Sequence, residues 1–345
     1  NTKDRVLIYE GHGEGFINAL TNKLNETSVD VYLNTKATNL ITESNDVIGV
    51  EAEDNIGNKY IIKAKSTVLA TGGYGARKDL LPERFDNFLY YGAALSSGDA
   101  LTMGENVDAD TVNMGYCEIY QDGVEWQPGI AKSTVYGTMA AWYESGIFVD
   151  RNGKRVVNEL GTGASIVEQQ EAQDDGRLFL FMDQKTFDSF CSNIGGTGIS
   201  EELLEEWINN NGSKSPIFAS GKTIEEVCDT VGVDSIALKD TIERYNGFVE
   251  NKKDEDFDRP SKALINKIGE GPYYLVEQKP RYATTLGGLL INDNLQVINK
   301  SGQIINGLYA AGDAAGGVRG DTSIPGADLG WAVTSGYLIG EILAK

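Results

Sequence analysis

The chain has 345 residues, 41% hydrophobic and 23% charged, with 51 acidic against 30 basic side chains and a net charge of −21. At roughly 150 residues per domain this predicts about two globular domains with a substantial core. So negative a surface argues against nucleic acid and anionic lipid, and no apolar run approaches the roughly 20 residues that span a bilayer, so neither a nucleic-acid partner nor membrane insertion is expected.

One histidine, His12, excludes sites built from several imidazoles, and any Ser-His or Cys-His dyad would have to use this ring. Cys117, Cys191 and Cys228 are far apart, odd in number and without a CxxC pair, so they read as reduced core or surface thiols and no metal site is expected. The chain opens at Asn1, Thr2, Lys3 and Asp4 without an initiator Met, which reads as the start of a fragment. The compartment stays open between cytoplasm and export, with reduced thiols favouring the cytoplasm.

Along the chain, Val6–Tyr9 reads as a buried strand. Gly11, Gly13 and Gly15 follow, then a helix-period set, Phe16, Ile17, Leu20 and Leu24. Val29–Leu33 reads as the next strand, and Val47–Glu53 with Tyr60–Ala64 as a hairpin closed at 55–58. Thr67–Ala70 is a short strand. From about Asn113 to Lys279 the periodicity turns helical with acidic faces, over Glu201–Asn210, Thr223–Val231 and Ser235–Asn251. Strand signals return at Leu289–Ile291, Leu295–Ile298 and Gly307–Ala311, before a closing helix over Ala327–Leu343.

The glycines at 11, 13 and 15 imitate a dinucleotide fingerprint, but the spacing is one residue short of GxGxxG, and a glycine-rich turn without a ligand explains them equally. Ala70–Gly73 (ATGG) ends a strand where glycines let a backbone approach a ligand. Gly307–Gly317 (GLYAAGDAAGG) is a strand followed by Gly-Asp, where a carboxylate can accept hydrogen bonds from sugar or ribityl hydroxyls. Ile324–Asp328 opens the last helix, whose N-terminus favours negative charge. Asp254, Asp256 and Asp258 lack the glycine and glutamate of a calcium loop and read as a solvated acidic connection.

The ordered pair ATGG and GLYAAGDAAGG resembles the fumarate reductase and succinate dehydrogenase flavoprotein superfamily, nearest to soluble flavocytochrome c-type fumarate reductases and 3-ketosteroid dehydrogenases. Gly98–Ala100, Asp150–Glu159, Arg244–Asn246 with Asp256–Pro260, and Gly271–Tyr274 agree in order over nearly the whole chain. The resemblance implies an α/β fold: a three-layer FAD/NAD(P)-binding domain interrupted by a fumarate reductase-type α+β capping domain. Its segments would be 1–112 and 280–345 for the FAD-binding domain and 113–279 for the cap. By motif match, Thr71, Gly72, Gly73, Gly312 and Asp313 would contact FAD. Ala327, Asp328 and Leu329 would offer amides to the flavin pyrimidine edge, and Ala37 would lie near the adenine.

Two departures from the family qualify this. The N-terminal GxGxxG unit has no counterpart here, so the resemblance implies an incomplete FAD site and weak FAD binding by these residues alone. The family's proton-donating arginine falls on Gly163, its relay residues near Met139 and Trp142, its carboxylate-binding histidine on Thr284, and its last-loop arginine on Ser323. The cations nearest to flavin-facing motifs are Arg281 and Arg319, and Tyr120 sits where the family has a substrate-binding histidine. These three are the catalytic candidates. The resulting expectation is an FAD-dependent oxidoreductase that moves hydride between flavin N5 and an activated C–C or C=C bond of a small-molecule substrate, with fumarate itself doubtful and a ketosteroid-type enone as an alternative. An electron-donor domain or protein carrying FMN or haem is the expected partner. A non-catalytic flavin-binding or electron-relay module and an NAD(P)-dependent dehydrogenase remain as rival readings.

Overall fold

The computed structural model describes residues 10–324 and 326–345. The expected strand at Val6–Tyr9 lies outside the described residues. Helix α1 (His12–Asn25) begins after Gly11, whose φ of 75° is one that glycine adopts without strain. Its expected inner face does not face a core: Ile17, Leu20 and Leu24 are exposed.

Val29–Leu33 is not a strand. It has no ladder partner among the described residues, and Val29, Val31, Tyr32 and Leu33 are exposed. Pairing begins instead at β1 (Thr35–Glu43), which joins β2 (Asp46–Asp54) through Ser44 and Asn45. Both turn residues have positive φ, 52° and 72°, as a tight two-residue hairpin requires. β3 (Lys59–Lys63) completes the three-stranded sheet as the hairpin partner of β2. β4 (Thr67–Leu69) is the short strand expected before the ATGG turn.

β5 (Leu89–Tyr90) follows, then α2 (Asp99–Glu105) and β6 (Thr111–Val112). β7 (Cys117–Gln127), β8 (Ile130–Ser133), α3 (Val135–Trp142) and β9 (Ile147–Val149) come next. After them run α4 (Gly163–Glu171), β10 (Leu178–Asp183), α5 (Gln184–Ile194) and α6 (Glu201–Asn210). β11 (Phe218–Gly221), α7 (Ile224–Val231), α8 (Ser235–Asn251) and β12 (Tyr273–Thr285) close the middle of the chain. The last elements are β13 (Gly288–Leu289), β14 (Gln296–Ile298), β15 (Ile304–Ala310) and α9 (Ala327–Leu343).

Contacts divide the chain into two compact units. One comprises 1–77, 95–117 and 284–345; the other comprises 78–94 and 118–283. Residues 78–94, assigned by sequence to the first FAD-binding segment, therefore pack with the second unit.

The second unit is α+β, as the resemblance implied, and carries a sheet that the helical periodicity of the middle segment did not reveal. It is built on a sheet of seven strands in the order β5-β8-β7-β12-β10-β9, with β11 also paired to β12. β10 explains why this was hidden. All six of its residues are buried, so it reads LFLFMD with no polar alternation. Its Leu178, Leu180 and Met182 enter one core with Phe190 and Trp207, while Phe179 and Phe181 enter another with Val227, Leu238 and Phe248. Helices therefore cover both faces of the sheet, as strand alternation dictates. The helix starts follow from capping: the side chains of Thr162, Asp183, Ser200, Thr223 and Asp234 each accept an amide of the first turn.

The acidic connection is exposed at Asp256 and Asp258, as expected, but Asp254 departs from it: it is buried, 2.8 Å from Arg155 Nη1, which supplies its counter-charge.

Candidate functional site: a glycine-lined cradle and a tyrosine–arginine cluster

In the first unit β15 runs parallel to β4, with Ala310 beside Leu69, and the Ala311 amide extends the ladder to the Leu69 carbonyl at 3.0 Å. The turns at Thr71–Gly73 and Gly312–Asp313 therefore leave the same carboxyl edge of the sheet, which is where open α/β sheets hold ligands. Gly72 and Gly312 have φ of 75° and 58°, values that disfavour a side chain. A Cβ at Gly73 would lie 2.2 Å from Thr285 Oγ1 and 3.7 Å from Asp313 Cβ, so this turn must be glycine to sit against β12 and the Gly-Asp turn. The Thr71 hydroxyl accepts the Ala100 amide at 3.1 Å, and Gly98 donates to the Gly73 carbonyl at 3.1 Å, which ties the turn to the start of α2.

A cavity of about 920 Å³ opens beside this turn, lined by Ala37, Thr71, Leu95, Asp99 and Met103 among others. Two expected cofactor contacts, Ala37 on β1 and Thr71 in the turn after β4, thus share one cavity. Lys36, which sequence reasoning did not single out, lies on its wall with Nζ 3.2 Å from Asp99.

Arg319 connects the remaining motifs of this unit. Its side chain is 6% exposed; Nη2 stands 2.9 Å from Asp313 Oδ1, and Nη1 pairs with Asp328. Nη2 also donates to the Thr285 carbonyl at 3.2 Å, and the Ser323 hydroxyl donates to Asp328 at 3.1 Å. Asp313 Oδ1 is shielded from solvent and faced by Arg319, while the Asp313 side chain as a whole stays 31% exposed. Burial pushes the Asp313 carboxyl above its ordinary value; Arg319 opposes the shift and Asp328 adds to it. Gly312 is fixed from behind, its amide bonded to Ser335 Oγ and its carbonyl to Trp331 Nε1, both at 2.9 Å.

The first turn of α9 differs in part from expectation. The Ala327 amide donates to the Ile324 carbonyl at 2.9 Å and is not available to a ligand. The helix has no side-chain cap, which leaves its first turn, with Asp328 and Leu329, the part able to offer amides. A paired glycine edge, a partly exposed carboxylate and an uncapped helix start fit the hydroxyl-rich, anionic character of FAD.

In the second unit Arg281 is 5% exposed and lies between two rings, with Cζ 4.4 Å from the Tyr91 centroid and 4.3 Å from that of Tyr120. Nη2 reaches both Asp122 oxygens at 3.1 Å and Ser133 Oγ at 3.2 Å. Ser133 in turn donates to Asp122 Oδ2 at 2.5 Å. Sequence reasoning found Arg281 and Tyr120 but missed Tyr91, Asp122 and Ser133. The signal for Asp122 was its place two residues beyond Tyr120, on the same face of a strand. Gly163 begins α4, and a Cβ there would lie 2.9 Å from Gln121 Oε1, while Trp142 is buried in the core.

A family model described as an FAD binding domain matches residues 4–329. The chain is 31% identical over 320 residues to a urocanate reductase of Eggerthella lenta, covering 90% of this chain and 50% of that protein. It is 27% identical over 337 residues to an NADH:acrylate oxidoreductase of Vibrio harveyi, covering 95% of this chain and 32% of the relative. It is also 27% identical over 340 residues to a fumarate reductase (cytochrome) of Shewanella frigidimarina, covering 97% and 55%. The chain thus spans between a third and just over half of these relatives. Among solved structures, the open conformation of a flavocytochrome c3 fumarate reductase superposes with a TM-score of 0.75 at 24% identity, covering 96% of this chain and 56% of that one. A 3-ketosteroid delta1-dehydrogenase from Sterolibacterium denitrificans does so at 0.74 and 24%, covering 94% and 62%. At these identities the structural matches establish the fold.

Proposed function

We propose a hydride-transfer function from the premise that the chain belongs to the FAD binding domain family, within the fumarate reductase and succinate dehydrogenase flavoprotein superfamily. Its fold is the α/β FAD-binding architecture with a fumarate reductase-like cap. The protein that carries it is read as an FAD-dependent oxidoreductase acting on an activated C–C or C=C bond of a small molecule. One observation carries this: the parallel pair β4 and β15 delivers Thr71–Gly73 and Gly312–Asp313 to one carboxyl edge.

In this reading Thr71, Gly72, Gly73, Gly312 and Asp313 hold FAD, with Ala37 at the adenine end and the Asp328 and Leu329 amides toward the pyrimidine. FAD, when bound, supplies a hydride donor or acceptor at N5. Asp313 accepts hydroxyl hydrogen bonds, and Arg319 keeps its carboxylate and that of Asp328 in place. Tyr120 Oη delivers or receives the proton, and the guanidinium stacked on its ring favours negative charge left on that oxygen. Electron supply by an FMN- or haem-bearing donor is part of the proposal, prompted by relatives named for NADH and for a cytochrome.

The test is the full-length protein, assayed for bound FAD after denaturation and for anaerobic oxidation of a reduced dye by enones. Stoichiometric FAD that Asp313→Ala loses would support the reading. A full-length protein that neither carries nor takes up flavin would end it. Electron relay without turnover has one observation in its favour: Gly163 has Gln121 where a longer side chain would go, and Trp142 is committed to the core. Bound flavin with no acceptor turned over would select that reading.

A further inference from the structure

We propose that Trp331 and Ser335 are positioning residues: two side chains of α9 that lock Gly312 in its left-handed conformation and so set where the Asp313 carboxylate stands for the cofactor. This rests on the flavin oxidoreductase reading above.

Gly312 has φ of 58°, and a Cβ there would lie 3.8 Å from Ala332 Cβ, an ordinary contact. Space does not demand glycine here; the backbone angle does. Glycine permits that angle but does not select it, since it takes either sign of φ about as readily. The selection comes from α9. Ser335 is fully buried; its hydroxyl accepts the Gly312 amide at 2.9 Å and gives its own proton to the Trp331 carbonyl at 2.7 Å. The Trp331 indole, a donor only, donates from Nε1 to the Gly312 carbonyl at 2.9 Å, and that carbonyl also takes the Ala315 amide at 3.1 Å. Both backbone groups of Gly312 are thus engaged within the protein. Gly312 serves a ligand by the shape of its turn, not by its amide.

Asp328, Trp331 and Ser335 stand at i, i+3 and i+7, so they share one face of α9. Asp328 pairs with Arg319, whose Nη2 is 2.9 Å from Asp313 Oδ1. Ile339 continues the same face and is buried with Ala311, the residue before Gly312, and Trp331 packs against that cluster. Arg319 therefore holds the carboxylate end of Asp313, while Trp331 and Ser335 hold the backbone from which that side chain springs. Turning the Gly312 peptide to negative φ would break both side-chain bonds and re-aim Asp313 away from Arg319.

The test compares wild type with Trp331→Phe, Trp331→Gln and Ser335→Ala in the full-length protein. Two quantities are read: the FAD dissociation constant after deflavination, and deuterium uptake over residues 311–316 without flavin. Trp331→Phe and Ser335→Ala are each expected to weaken FAD binding about 10-fold and to speed that uptake. Trp331→Gln loses the ring but keeps an N–H the same number of bonds from Cα, so it is expected to recover most of the affinity that Trp331→Phe loses. A purely structural role predicts the reverse: glutamine less stable than phenylalanine, and FAD affinity unchanged in the folded fraction of both. If Trp331→Phe does not fold, Ser335→Ala decides. Wild-type affinity in folded Trp331→Phe and Ser335→Ala would overturn the inference and leave the flavin reading intact. Wild-type protein that takes up no FAD would remove the flavin reading; faster uptake in the same variants would still support the lock on Gly312, and unchanged uptake would end it as well.

Discussion

Arg155 Nη1 lies 2.8 Å from Asp254 Oδ2, across 99 residues of sequence, and its other nitrogens grip Glu159 at 2.8 and 2.9 Å. Arg259 joins the same Glu159 at 3.2 Å, so two guanidinium groups and two carboxylates neutralise one another in the interior of the second unit. Both arginines also lie over the Tyr245 ring, 5.5 Å from its centroid.

Breaking one partner of a buried pair leaves an uncompensated charge, so Asp254→Ala is expected to destabilise the unit by about 3–5 kcal/mol in urea unfolding. Burial opposes ionisation of Asp254, but Arg155 and the amides of Arg259 and Asp256 outweigh it and hold the carboxyl below its ordinary range. A lowered folded value means the stabilisation is present above the unfolded pKa and lost as pH falls through the folded one. Wild-type stability should therefore drop on acidification more than that of Asp254→Ala. Equal acid slopes for the two proteins would refute this.

That network also marks where sequence reading stopped. The helices at Glu201–Asn210, Ile224–Val231 and Ser235–Asn251 were legible because a capping side chain precedes each and one face repeats at helical spacing. β10 and β12 were not, because a strand buried on both faces loses the alternation that identifies it. Val29–Leu33 carried the right residue types, but a strand exists only with a neighbour to bond. At the candidate site, glycine turns were visible because their backbone requirement is local. The neutralisation of Arg281 by Asp122 was not, since it joins residues 159 apart in sequence. Asp254 failed for the same reason.

The three thiols should be inert at neutral pH. Burial pushes Cys117 up to about 12; burial with Asp188 does the same to Cys191, and burial with Asp229 and Glu225 to Cys228, from an ordinary value of 9.0. Above pH 9 the unfolded thiols ionise while the folded ones keep their protons. The unfolded state then binds fewer protons, and stability falls as pH rises from 9 towards about 12. Maleimide labelling at pH 7.5 should be slow in native protein and complete in urea. Rapid native labelling of Cys117 or Cys228 would contradict their burial.

Asp234 supplies the cap of α8, accepting the Ile236 and Ala237 amides at 2.9 and 3.0 Å. The helix places Leu238, Tyr245, Phe248 and Val249 in the core, so a frayed start loosens that packing. Asp234→Ala should cost about 1 kcal/mol and Asp234→Asn much less, since asparagine caps nearly as well. Equal losses for both variants in thermal unfolding would assign the effect to charge instead.

Arg319 gives the sharpest test of the cradle. It is one cation between two carboxylates, and it also fixes the Thr285 carbonyl, so it joins the Gly-Asp turn, the start of α9 and the end of β12. Arg319→Met would leave Asp313 and Asp328 facing each other without a counter-charge beside a site that must accept an anionic cofactor. Charge-assisted hydrogen bonds are worth about 1.5–3 kcal/mol each, so losing even one should weaken FAD binding by the full-length protein about 10-fold or more. Arg319→Lys keeps the charge but lacks the planar fork that reaches two carboxylates and a carbonyl together, and it should fall between wild type and Met. The measurement is the FAD dissociation constant of deflavinated protein, with the flavin midpoint potential as a second readout. A role in folding alone would lower stability and leave both unchanged in the folded fraction. Removing the positive charge should make the anionic reduced flavin less favourable and shift the potential downward. Wild-type affinity and potential in Arg319→Met would show that the three segments are held without it.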